Sequence, residues 1–101
     1  MDVSVTELVA AYDKNEAAAQ ITYGNRMLRV TGMVEKINLG PDDEPFVNLA
    51  GGQLLPAQLH FGNGFAAQAA QLEKGRQYAF LCTNVSEILG SPMLKDCQLA
   101  D

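Results

Sequence analysis

Apolar and polar positions alternate through residues 27–39, MLRVTGMVEKINL, the longest strand-like run in the chain. Leu28 and Val30 share one face before Gly32, and Val34 follows two places after it. Alternation of this kind predicts a half-buried strand. A glycine inside such a pattern marks a bulge or bend, because it tolerates backbone angles that other residues resist. A long strand bent at that point can serve two sheets at once, as a small barrel requires. Upstream the pattern takes the helical period. Val5, Leu8, Val9 and Tyr12 make one apolar face behind Ser4-Val5-Thr6-Glu7, which reads as a capping box. Asn15-Glu16-Ala17-Ala18-Ala19 continues or restarts the helix, and Gly24-Asn25 ends it.

After the long strand, Gly40-Pro41-Asp42-Asp43-Glu44-Pro45 is a loop with two prolines and three adjacent carboxylates. A short strand is expected over 46–49, a turn at Gly51-Gly52, and a third strand over 57–61 opened by Pro56. Gly62-Asn63-Gly64 ends that strand, 65–72 is a short helix, and Lys74-Gly75 closes it. A fourth strand over 78–85, a turn at Leu89-Gly90-Ser91-Pro92 and a fifth strand over 93–99 complete the chain. Three strands, a helix and two strands is the order of the five-stranded Greek-key OB barrel. The expectation is therefore an all-β fold with helices: one OB-type barrel domain over 1–101, with a helical lead-in over 4–22 and the barrel over 27–99. A small α+β roll is the alternative.

Composition narrows the function. The chain has 101 residues, 48% hydrophobic, with a net charge of -5. That describes a single globular domain. The acidic balance works against duplex DNA, whose affinity rests on Lys and Arg displacing counterions. The seven basic residues are scattered along the chain. No apolar run approaches the roughly 20 residues that span a bilayer. The start Met1-Asp2-Val3 lacks a basic or apolar signal segment, so the expected location is cytoplasmic as the sequence stands. It is the cell envelope if an export signal was removed.

No catalytic constellation is visible. His60 is the only histidine and has no G-x-S-x-G or comparable pattern to serve. Cys82, Cys97 and His60 come from three strands and do not make a zinc site, and no cofactor is expected. Gly62-Asn63-Gly64 lacks the ending of a P-loop, and Asp42-Asp43-Glu44 lacks the alternation of an EF-hand. One surface has binding chemistry. If Val47 and Leu49 face the core, Phe46 and Asn48 face outward, as do Gln58 and His60 on the next strand. OB barrels bind oligonucleotides and oligosaccharides on that face. Phe46 and His60 could stack on a ligand, Asn48 and Gln58 could hydrogen-bond it, and Arg29 and Lys36 could hold phosphates.

The two cysteines fall on the last two strands. A turn centred on Gly90-Ser91 sets Cys82 opposite Leu99 and Cys97 opposite Asn84. That offset puts the Cβ atoms about 7–8 Å apart or somewhat less, where a disulfide wants about 3.5–4.5 Å. Two free, buried thiols are expected.

Several of these residues resemble a known family. Asn15-Glu16 with Ala18-Ala19, Tyr23 eight residues after Asn15, Val30-Thr31-Gly32, and Leu94-Lys95-Asp96-Cys97 near the end are similar to the bacterial tRNA-anti-like OB-fold family. The family tends to place a Gly-Lys pair after the tyrosine; Gly24-Asn25-Arg26 stands there instead. The resemblance implies an OB barrel and, by the family's name, nucleic acid binding, and many members are envelope lipoproteins. With the acidic charge, the expectation is a non-catalytic binding module for a protein or small ligand. The alternative is a weak single-stranded nucleic acid binder; duplex DNA is disfavoured by the acidic charge.

Overall fold

The computed structural model describes residues 1–51, 56–62, 64–88 and 91–100. A short strand, β1 (Asp2–Ser4), precedes two helices, α1 (Val5–Lys14) and α2 (Glu16–Tyr23). Three residues are too few to show a period, so β1 was not expected. The capping box forms: Ser4 Oγ accepts from the Glu7 backbone N at 3.1 Å and Glu7 Oε1 from the Ser4 backbone N at 3.2 Å. Asn15 accepts from the Ala18 N–H at 3.0 Å, so the helix restarts there. Val5, Leu8 and Tyr12 of α1 are buried. The Tyr12 hydroxyl donates to Gln20 Oε1 at 2.8 Å, and Gln20 Nε2 donates to the Val85 carbonyl at 3.2 Å. These bonds dock both helices onto the sheet.

The remaining strands are β2 (Leu28–Leu39), β3 (Pro45–Ala50), β4 (Ala57–Phe61), β5 (Gln77–Cys82), β6 (Asn84–Ile88) and β7 (Ser91–Leu99). A 3-10 helix, Ala66–Gln71, lies between β4 and β5, where a short helix was expected. The strands run β2-β3-β4-β7-β5, and β5 pairs back onto β2 to close the barrel. β2 achieves this by serving two neighbours: Leu28 to Met33 pair with β5, and Met33 to Leu39 with β3. β4 and β7 are parallel. The OB-type five-stranded barrel is thus present, with β1 paired parallel to β2 and β6 paired to β7 as additional strands. Val30, Val34, Val47, Leu49, Leu59, Phe80 and Leu94 fill its interior.

Two local expectations need correction. The bulge in β2 lies between Val34 and Lys36, not at Gly32. Gly32 is buried beneath α1, where a Cβ would stand 2.8 Å from Val5 Cγ1. Its missing side chain admits the helix. The expected fourth strand divides at Thr83 into β5 and β6. Opposite the break, Asp96 takes a left-handed backbone (φ 54°), which interrupts the pleat of β7.

The free-thiol expectation is also wrong: Cys82 and Cys97 form a disulfide, with Cα atoms 4.1 Å apart. Ile88 pairs with Ser91, so the chain reverses one position earlier than a turn centred on Gly90-Ser91. That shift moves every partner by two residues and sets Cys82 opposite Cys97, between the Leu81–Gln98 and Asn84–Lys95 pairs. The turn residues Gly52, Asn63, Leu89 and Gly90 lie outside the described set.

Candidate ligand-binding face

The outward faces of β3 and β4 carry the expected side chains because alternation in both strands is regular. Val47, Leu49, Ala57 and Leu59 are buried, while Phe46, Asn48, Gln58 and His60 are half-buried on the opposite side. Register pairs Phe46 with His60 and Asn48 with Gln58. The Phe46 and His60 rings stack, with centroids 5.1 Å apart and planes 13° from parallel. His60 Nε2 lies 3.3 Å from Gln58 Oε1, which fixes the imidazole edge.

β2 extends this surface. Lys36 pairs with Asn48, and Asn38 pairs with Phe46. On the other flank Met93 of β7 pairs with Gln58, and Ser86 of β6 pairs with Met93. One row therefore crosses five strands, from Lys36 through Asn48, Gln58 and Met93 to Ser86. Arg29 is not part of it. It sits on the other half of β2, between Asp2 of β1 and Leu81 of β5.

Burial lowers the His60 pKa below its ordinary 6.5; nearby Lys95 lowers it further, and Glu44 acts in the opposite direction. The imidazole is thus neutral at pH 7. Lys95 belongs to the surface and was missed, since only the parallel β4–β7 pairing brings it near. Asn38 was missed as well, although it stands two places after Lys36 in the alternation.

Two amide atoms here are notable. Asn38 Nδ2 and Asn48 Oδ1 are buried and have no hydrogen-bond partner among the described residues. An unmet buried polar group costs about 1–3 kcal/mol. The loop before β3 also limits Phe46. A Cβ at Gly40 would lie 3.9 Å from Phe46 Cδ1, so the ring has His60 on one side and this loop nearby. Among the described residues no group of three or more His, Cys, Asp or Glu is placed to hold a metal ion. None of the helices there is long and apolar enough to cross a membrane.

No curated protein matches the chain. A crystal structure of a Klebsiella pneumoniae subsp. pneumoniae MGH 78578 protein, called a "putative nucleic acid-binding lipoprotein", is similar in fold. Its TM-score is 0.77 at 18% identity, covering 100% of this chain and 92% of that one. The sequence pattern of the tRNA_anti-like family matches residues 1–98, and the chain belongs to that family.

Proposed function

We propose that the chain is a non-catalytic binding module that takes a protein segment or a small molecule on the Phe46–His60 face. The observation that carries this reading is the pair of unmet amide atoms, Asn38 Nδ2 and Asn48 Oδ1, beside the stacked rings. One is a donor and the other an acceptor, so a ligand amide or hydroxyl would satisfy both. Each lies out of solvent contact, and each side-chain amide must turn about its soft terminal torsion to reach a ligand. The net charge of -5 and the carboxylates at 42–44 favour a neutral or basic ligand over a polyphosphate.

The disulfide supports an oxidising location, because such bonds persist outside the reducing cytosol. The lipoprotein name of the structural neighbour agrees with a cell-envelope site.

A second reading is single-stranded nucleic acid binding. Lys36 pairs with Asn48 and Lys95 acts on His60, so the face carries two cations that could meet backbone phosphates, and the neighbour's name mentions nucleic acid. Against it, Phe46 already uses one ring face on His60.

Nitrogen-15 NMR distinguishes the two. The side-chain amide resonances of Asn38, Asn48 and Gln58 are followed while neutral dipeptides and acetamides, and separately an oligothymidylate, are added at low and high salt. Movement with the neutral probes supports the first reading. Movement with the oligonucleotide alone, lost steeply with salt, replaces it with the second. No movement with either removes the face as a binding site.

A further inference from the structure

A groove of about 420 Å³ opens between the end of β2, the loop that follows it and the 3-10 helix. Ile37, Leu39 and Pro45 form one wall, and the alanines of the helix form the other. The alternation of β2 accounts for the first wall. After the bulge, Ile37 and Leu39 continue the inward-facing positions but run past the end of the barrel, leaving Leu39 69% exposed and Ile37 37% exposed. The opposing alanines end at Cβ and cannot fill the space. The volume lies within the range of small-ligand sites, roughly 300–1,000 Å³.

Its charge is one-sided. Asp43 lines the groove, and no Lys or Arg is among the described lining residues. Asp42 and Glu44 adjoin Asp43 in the chain. The loop is held in shape by hydrogen bonds from the Gly40 N–H to the Glu44 carbonyl at 2.8 Å and from the Asp43 N–H to the Gly40 carbonyl at 3.1 Å. The backbone at 43 is therefore held in place, and Asp43 brings an exposed carboxyl side chain to the lining of an otherwise largely apolar slot.

We infer that this groove binds a small organic cation, an amine on an apolar body, with the body between Leu39 and the alanines and the ammonium at Asp43. The apolar lining supplies area-dependent affinity, and the acidic mouth selects the sign of charge. A carboxylate on the same body would bring like charges together and bind more weakly. The groove adjoins the Phe46–His60 face and shares Asn38 with it, and its readout comes from the groove's own methyl groups.

The test is a methyl-detected NMR titration with octylamine and with octanoate as the matched anion. Octylamine is expected to shift the Ile37, Leu39, Ala66 and Ala70 methyls and to bind about tenfold more tightly than octanoate. Asp43→Asn should bring the two affinities together. Ala70→Leu, which fills the slot, should abolish the octylamine shifts, with Ala67→Leu as a second filling variant and the melting temperature confirming that each is folded. Octanoate binding as tightly as octylamine, no shift at these methyls, or octylamine affinity unchanged in both folded filled variants would overturn the proposal.

Discussion

The rings of Phe46 and His60 face each other across β3 and β4, in register and 13° from parallel, with centroids 5.1 Å apart. Stacked aromatic pairs contribute roughly 0.5–1.5 kcal/mol beyond the area they bury. A double-mutant cycle with Phe46→Ala and His60→Ala should give a coupling energy in that range, read from urea unfolding. A coupling near zero would mean that the rings merely occupy adjacent positions.

His60 should titrate below 6.5, because burial and Lys95 both disfavour its charged form. Lys95→Ala should raise its pKa, and Glu44→Gln should lower it, followed by the imidazole NMR shift. The unfolded chain takes up the proton more readily than the folded one. Stability should therefore begin to fall as pH drops through about 6.5 and level off below the folded-state pKa. His60→Gln should remove that part of the pH dependence.

Gly32→Ala should destabilise the fold by about 1–3 kcal/mol, since the new methyl group would meet Val5 Cγ1 at 2.8 Å. Adding Val5→Ala should recover part of the loss. If Gly32→Ala is neutral on its own, the contact with α1 is looser than the geometry indicates.

The Cys82–Cys97 bond closes a sequence separation of 15 residues. A loop of that length corresponds to about 3 kcal/mol by the chain-entropy account. The double variant Cys82→Ala, Cys97→Ala should lose about that much, measured by urea unfolding under non-reducing conditions. Thiol titration of the unreduced, denatured protein should find no free thiol.

The capping box, the helical lead-in, the bent long strand and the barrel order were readable because each rests on a local period or a turn residue. The outward face of Phe46, Asn48, Gln58 and His60 followed from strict alternation in two short strands. Lys95 was hidden because its position depends on a parallel pairing between strands far apart in sequence. The disulfide was misjudged by a single residue: locating the reversal at Gly90-Ser91 rather than between Ile88 and Ser91 moved Cys82 away from its partner. Register amplifies a small error in a turn in this way. Gly32 was correctly singled out but for the wrong reason, since the pattern of one strand does not reveal which helix will lie over it.

β7 pairs with β4, β5 and β6, more neighbours than any strand except β2. It is also the last of the described strands in chain order. Without Ser91–Leu99, β4 and β5 each lack one neighbour and Cys82 has no partner sulfur. Closure of the barrel and oxidation of the cysteines are therefore tied to the same late segment.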